Sequence, residues 1–345
     1  MDKEIPTENQ LRICIVGPGA IGGVVAGVLA QKGYNIQLVT KHMDLAEKIS
    51  TTGIEISGHC GRFTQVIPSV ATFDQLEGIF DFVLIVTKGQ AVEEVARGIL
   101  PFLNENSRVV SMQNGICEPV LAGIVGEERT VGCVVGWGGT FHGPGKVEMS
   151  SGGECVLGNW NREADAALHR LAMIMGHVIE IRKVDNILSE LYSKMMINSC
   201  ITTLGVLSGL YLGELMKIKK VRNIFIEIVR EALLVAGAMG VAVAPGAKGK
   251  LDFYKFVAHG LLANFRSHLT IRVIGIKYRK LKSSSLQSLE RGRKTEINNY
   301  NGYISEKGRE FGIPTPVNEQ LTRMVHEIEE GQRKIGSENL REVYL

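Results

Sequence analysis

LRICIVGPGAIG, residues 11–22, decides the fold. Residues 11–16 form a short run, apolar apart from Arg12, the pattern of a parallel strand buried on both faces. Gly17-Pro18-Gly19-Ala20-Ile21-Gly22 then spells G-x-G-x-x-G, ahead of a helix over 20–32 that Gly33 ends and a second strand over 35–40. Inside such a β-α-β unit each glycine has a task. Gly17 makes the turn, Gly19 lets a pyrophosphate approach the backbone, and Gly22 lets helix and strand close together. The free N–H groups at the helix start attract the anion. Pro18, Ala20 and Ile21 complete the turn, so residues 17–22 together are the expected dinucleotide cradle.

Working outward, apolar strands recur at helix-length intervals, over 81–87, 108–112 and 130–135, which predicts an α/β, Rossmann-type, doubly wound and mainly parallel sheet. After Val135 the stretches GWGGT and FHGPGKVEM flank a Gly143-Pro144-Gly145 turn. They predict two antiparallel strands, ending near Gly158, that extend the sheet at one edge. A helix over 162–176 and a strand over 178–181 finish a first domain, 1–184. Helical spacing dominates afterwards, over 185–207, 221–240, 252–281, 288–311 and 315–331, predicting an all-helical C-terminal domain, 185–345. Residues 1–10 are polar and read as a loose tail.

Composition narrows the classes. With 345 residues the chain exceeds what one core of about 250–300 residues organises. Hydrophobic residues at 45% and 40 glycines against 9 prolines exclude disorder and collagen. A net charge of +3 does not point to nucleic acid or an anionic membrane, and no apolar stretch is long enough to span a bilayer. Six cysteines without a C-x-x-C pair, and no leader before the first strand, read as a cytoplasmic protein with reduced thiols. The eight histidines show no metal-ligand spacing, so no metal is expected.

The residues after each strand point to the cofactor. An acidic residue following the second strand would bond the ribose hydroxyl of NADH, but here Val39-Thr40-Lys41-His42 follows. Lys41 is placed to meet a 2'-phosphate, which favours NADPH; the plain alternative is a solvated loop lysine. Lys88, after the strand over 81–87, and Asn114, in Gln113-Asn114-Gly115, stand at further carboxyl ends, the rim where ligands bind in open α/β sheets.

In the C-terminal domain Lys194 and Asn198 are four apart within LYSKMMIN, hence on one helix face, and Thr202 continues that face. Polar groups among Met195, Met196 and Ile197 are costly to bury unless something pairs with them; otherwise the stripe faces water. Ser284, within Ser283-Ser284-Ser285, and Glu296, within GRKTEI, form a second polar cluster.

Taken in order, GPGAIG, TKGQ around Lys88, QNG at Asn114, the GPG turn, LYSKMMIN and GRKTEINNYNG resemble the ketopantoate reductase (2-dehydropantoate 2-reductase) family over nearly the whole chain. The resemblance implies NADPH-dependent reduction of a small 2-oxo acid, with ketopantoate to pantoate in pantothenate synthesis the leading reaction. It implies that Lys194 is the general acid, that Asn198 and Asn114 hold substrate, that Ser284 binds its carboxylate, and that Lys88 and Glu296 contact NADPH. The chemistry agrees. Hydride delivered to a 2-oxo carbon leaves charge on oxygen, which a positioned donor neutralises, and partial desolvation should bring a lysine toward that role. The active site would then lie between the domains.

Three positions depart from the family pattern: Thr202 and Leu212 where asparagines are usual, and Ser288 where an aspartate is. All three touch the substrate end, which leaves a different 2-oxo acid as the alternative. A non-catalytic NADPH-binding sensor is the alternative from another class. The segment 261–282 carries six cations among apolar residues and predicts an amphipathic helix packing on this domain or on a partner subunit, with a homodimer suggested only by analogy.

Overall fold

The structure, a computed structural model, describes residues 11–345 apart from His259, so the tail expected over 1–10 lies outside the described residues. The chain runs β1 (Arg12–Val16), α1 (Ala20–Gln31), β2 (Asn35–Val39), α2 (Met43–Thr51), β3 (Ile54–Gly58), β4 (Phe63–Gln65), β5 (Ser69–Val70), β6 (Phe82–Ile85), α3 (Val92–Ile99), β7 (Arg108–Ser111), α4 (Glu118–Val125), β8 (Thr130–Val135), β9 (Gly138–Gly143), β10 (Lys146–Ser151), β11 (Glu154–Asn159), α5 (Ala166–Gly176) and β12 (Glu180–Lys183). Helices follow: α6 (Ile187–Ser208), α7 (Leu212–Leu215), α8 (Lys219–Ala238), α9 (Gly246–Gly249), α10 (Phe253–Phe256), α11 (Leu261–Lys277), α12 (Ser284–Glu290), α13 (Asn301–Glu310), α14 (Pro316–Glu329) and α15 (Asn339–Glu342). Two compact units result, the first ending at Leu188 and the second running Ser189–Leu345.

The main sheet of the first unit has the order β12-β11-β8-β7-β6-β1-β2-β5. β1 pairs in parallel with β2 and β6, so Val16 lies level with Val39 and Ile85. Its apolar run Ile13–Val16 follows from burial on both faces. Ile13 and Ile15 join Val24, Val28 and Leu29 of α1 on one side, whereas Cys14 and Val16 join Val92, Val95 and Leu121 of α3 and α4 on the other. The α/β class with a parallel-dominated sheet and a helical C-terminal region is therefore as expected.

The strands around the Gly-Pro-Gly turn correct the expectation. β9 and β10 are antiparallel, but they belong to a separate four-stranded sheet, β4-β3-β10-β9, in which β10 runs parallel to β3. Only β11, the far end of that stretch, extends the main sheet, antiparallel to β8. The physical reason lies in α1, which is apolar on every side and carries glycines where the second sheet approaches. A Cβ at Gly23 would stand 2.8 Å from Ile54 Cδ1, and one at Gly27 only 2.4 Å from Ile56 Cδ1. A helix buried all round needs cover on both sides.

Two helices expected as continuous are broken. The span 252–281 divides at Gly260, whose φ of 116° ends the preceding segment before α11 starts. The span 288–311 divides between α12 and α13, where Gly292 takes φ 67° and Thr295 is pinned by Glu329, its N–H and hydroxyl both donating to Glu329 Oε1 at 2.6 Å. Glu296 therefore sits in a loop. Beneath it the helical unit holds a buried polar chain. Thr203 donates to Asn301, Asn301 donates to Asn318 at 2.8 Å, and Asn318 donates to Glu231 at 2.7 Å, linking α6, α13, α14 and α8. Glu231 also accepts the Val317 and Asn318 N–H groups at the start of α14. Burial pushes this carboxyl up, against the pull of those donors, and nearby Glu227 adds to the rise.

Candidate active site

The first cluster begins where β1 ends. Gly17 has φ 98°, its N–H donates to Val39 O at 2.9 Å, and its carbonyl accepts the Gly19 N–H at 2.8 Å, which closes the turn. A Cβ at Gly22 would lie 2.2 Å from Gly17 O, a closure only glycine permits, whereas one at Gly19 would meet nothing within 4 Å. The open side of the turn is thus at Gly19. There α1 begins with no capping side chain and no acidic residue in its first turn, leaving its N–H groups and positive dipole end for an anion. Pro18, Ala20 and Ile21 complete this turn, and β9 packs beside it: a Cβ at Gly139 would stand 3.1 Å from Ile21 Cδ1 and 3.2 Å from Ala20 Cβ.

The neighbouring strand ends line the same rim. Thr87, just after β6, is the residue a Cβ at Gly17 would strike, at 3.0 Å from Cγ2, and its buried hydroxyl has no hydrogen-bond partner among the described residues. Sequence reading passed over Thr87 as a site residue; the signal was its place beside Lys88 in TKGQ. Lys88 follows it and leads into a 3-10 turn over Gly89–Ala91. After β7, Gln113 is buried and donates to Ile85 O at 2.7 Å while accepting from Ser111 Oγ at 2.8 Å. It ties the ends of β6 and β7 together and so fixes the half-buried Asn114, which Gly115 follows at φ 91°. After β2, Lys41 is 71% exposed and 3.7 Å from Glu94 of α3. A solvated pair of that kind contributes about 1 kcal/mol at most, so an incoming phosphate competes with Glu94 easily.

The second cluster stands on α6. Lys194 and Asn198 are half-buried on one face, among the fully buried Met195, Met196 and Cys200. Gly205 falls on that same face three turns from Lys194, and a Cβ there would lie 2.6 Å from Ser283 Oγ. The missing side chain seats Ser283 against α6. Ser283 is in turn the N-cap of α12, its hydroxyl accepting the Leu286 N–H at 3.2 Å, so that Ser284 opens α12 with its side chain exposed. Lys194, Asn198 and the Ser284 turn are thereby strung along one face of one helix. Thr202 is buried and its hydroxyl donates to Asn198 O at 2.7 Å, so its proton serves its own helix and only lone pairs are left for a ligand. Glu296 is half-buried, with the Tyr300 hydroxyl donating to it at 3.4 Å. Its loop is anchored from α14 by Glu329 and by His326, which bonds Asn298 at 2.9 Å. Leu212 packs in the core, with no polar group to offer at that place.

Residues 13–162 match the family model of ketopantoate reductase PanE/ApbA, and residues 186–329 match the model of its C-terminal part. The 2-dehydropantoate 2-reductase of Aquifex aeolicus is 26% identical over 320 residues, which is 91% of this chain and 96% of that protein. Among solved structures, a PanE/ApbA family ketopantoate reductase from Ralstonia eutropha JMP134 aligns with TM-score 0.79 at 25% identity, over 94% of this chain and 100% of that one. A D-mandelate dehydrogenase, solved with NADH and anilino(oxo)acetate, shares the fold with TM-score 0.80 at 24% identity, over 93% of this chain and 99% of that one.

Proposed function

The chain belongs to the ketopantoate reductase PanE/ApbA family and is a nicotinamide-dependent oxidoreductase, and from that premise we propose that it reduces a small 2-oxo acid with NADPH, 2-dehydropantoate to pantoate being the leading reaction. The observation that carries this reading is the α6 face, where Lys194 and Asn198 share a line with Ser284, seated through Gly205. A 2-oxo acid presents a carboxylate and a carbonyl, and a cation, an amide and a hydroxyl are the kinds of group that bind them.

The cofactor, when bound, supplies the hydride. The chain does the rest. The Gly19 opening and the α1 N-terminus hold the pyrophosphate, Lys41 meets the 2'-phosphate, and Thr87, Lys88 and Glu296 orient the cofactor. Ser284 holds the substrate carboxylate, while Asn114 and Asn198 fix its carbonyl and hydroxyl groups. Lys194 Nζ stabilises the negative charge that grows on the carbonyl oxygen and delivers the proton that completes the alcohol.

Thr202 and Leu212 favour one second reading: the same chemistry on a different 2-oxo acid. The Thr202 proton is turned into its helix and Leu212 is apolar and buried, so two groups that would hold a polar substrate tail are missing. A panel of 2-oxo acids, followed by loss of NADPH absorbance with NADH as the control, separates the two readings by which acid has the highest kcat/KM. A non-catalytic sensor predicts binding without turnover, which the same assay exposes. No helix among the described residues is long and apolar enough to cross a membrane, and a cytoplasmic location belongs to the same proposal.

A further inference from the structure

We propose that α11 docks on an anionic lipid bilayer, its outer apolar face entering the headgroup layer and the cations on either side of that face meeting the lipid phosphates. The inner face of α11 is already committed to the protein. Ser267 and Ile271 are buried, the Ser267 hydroxyl donates to Phe256 O and to Ala263 O, and Gly275 is pressed on α7 so closely that a Cβ would lie 2.5 Å from Met216 Cβ. A surface helix docked in this way ordinarily turns polar residues outward. Here Leu261, Leu262, Phe265, Leu269, Val273 and Ile276 point outward instead, each between 51% and 91% exposed. Sequence reading expected the apolar residues of this segment to pack on protein, and of the large ones only Ile271 is fully buried.

Position around the helix sorts the apolar from the charged. At about 100° per residue the six apolar side chains fill one sector roughly 120° wide and about 22 Å long. Arg266 and Lys277 border that sector on one side, and Arg272 stands at its opposite edge. Next to Arg272 lies a groove of about 470 Å³ between α11 and α7, lined also by Lys217, Arg279 and Lys280. The one acid in its lining, Glu214, is engaged in accepting the Tyr211 N–H at 3.0 Å. Residues 261–282 hold Arg266, Arg272, Lys277, Arg279, Lys280 and Lys282 and no acidic residue, and of these six only Lys282 has an acidic partner among the described residues, Glu290. Behind Arg272 positive charge is already crowded. Burial and then Arg272 lower the pKa of Arg222, and burial followed by Arg222 and Lys219 lowers that of His268.

That pattern selects the occupant. The six side chains expose on the order of 700 Å², above the ~300–600 Å² that a typical monomer's largest patch reaches, so the face calls for cover. A second copy would set these cations against their own kind, and a nucleic acid would answer the cations while leaving the apolar sector wet. A bilayer with anionic lipids answers both. Its phosphates and carboxylates lie level with the flanking cations, whose long stems let the charges reach up to them, while the leucines, Phe265 and Ile276 sink to the acyl boundary. The attraction of each cation to such a surface is local and fades within a Debye length, so the whole-chain charge of +3, which by itself does not point to a membrane, is no measure of it. α11 would lie on the bilayer and not through it, since no helix among the described residues is long and apolar enough to cross.

The test is flotation of the full chain with phosphatidylcholine vesicles, with and without phosphatidylserine, at low and high salt. Phe265→Glu/Leu269→Glu removes two exposed apolar side chains, and Arg272→Gln/Lys277→Gln removes two cations while leaving the apolar face intact. The expected result is binding to the phosphatidylserine vesicles alone, weakened by salt and reduced at least about 100-fold by the first variant and roughly 30-fold by the second, about fivefold for each cation, with unchanged melting temperatures. Failure to float with phosphatidylserine, equal binding to both kinds of vesicle, or full binding by the first variant overturns the proposal. If the chain ignores vesicles and sediments as a dimer that Phe265→Glu/Leu269→Glu dissociates, the face belongs to a second copy and the lipid contact is overturned as well.

Discussion

In the proposed reaction Lys194 is the residue on which the chemistry would turn. It is half-buried on α6 in line with Asn198, and a general acid contributes typically 10²–10⁴-fold. Lys194→Ala should therefore lower kcat by at least about 100-fold while leaving NADPH affinity nearly unchanged, as read by steady-state kinetics beside a direct binding titration. A near-normal kcat removes the role from Lys194. Lys41 calls for the complementary experiment. Exposed and only loosely paired with Glu94, it should serve a phosphate and little else, so Lys41→Ala should weaken NADPH binding by about tenfold, one charge-assisted contact of about 1.5 kcal/mol, and leave NADH binding unaltered. Equal losses for both cofactors would show that Lys41 does not read the phosphate. At this scale the turn glycines Gly17 and Gly22 and the shared helix face of Lys194 and Asn198 were legible because their demands are local. Ser283, Gln113 and Thr87 were not, since each matters through a neighbour far along the chain: Gly205, Ile85 and Gly17.

Among the elements, the β1-α1-β2 unit makes the sharpest contrast between two glycines of one turn. A methyl group at Gly22 collides with Gly17 O, so Gly22→Ala should lower the melting temperature and cofactor affinity together. One at Gly19 meets open space in a backbone conformation alanine accepts, so Gly19→Ala should keep the fold and lose cofactor affinity alone. If Gly19→Ala binds NADPH normally, the pyrophosphate does not approach there. α5 supplies a prediction in pH. Its N-cap, Asp165, accepts the Leu168 N–H at 2.8 Å and pairs with Arg108 at 2.9 Å and with Arg162. Burial alone would raise this carboxyl, but the N–H and the two guanidinium groups outweigh it and hold it well below its ordinary 3.8. A depressed acid contributes stability above its unfolded value and loses it as pH falls further. Wild type should thus lose stability below about pH 4, and Asp165→Asn, which keeps the cap but not the charge, should lack that part of the loss and be weaker by about 1 kcal/mol near neutrality. Parallel acid titrations of both by thermal melting would decide it. The elements that escaped the sequence are those whose partners are remote. β3 pairs with β10 in parallel about 90 residues on, and no turn motif joins them, although IEIS alternates and the glycines of α1 mark where that sheet lies. The breaks at Gly260 and Gly292 were hidden because apolar spacing runs on across them.

On the scale of the molecule, each unit has a core and a polar cluster of its own. The first gathers the ends of β1, β2, β6 and β7 on one rim, where the proposed dinucleotide would bind, while the second strings a cation, an amide and a hydroxyl along α6 and braces that helix with the buried chain from Thr203 to Glu231. Breaking that chain tests the bracing. Asn318→Leu removes one of three donors to the Glu231 carboxylate and the acceptor of Asn301 and should cost about 1–3 kcal/mol in a denaturant titration, whereas a loss below about 0.5 kcal/mol would show that the network carries little stability. The most direct test of the whole account is the rate of NADPH consumption by the full chain with 2-dehydropantoate and a set of related 2-oxo acids, run beside Lys194→Ala. The account predicts rapid turnover of at least one 2-oxo acid, slower with NADH, and collapse of the rate in the variant. Tight NADPH binding with no turnover of any 2-oxo acid would contradict it.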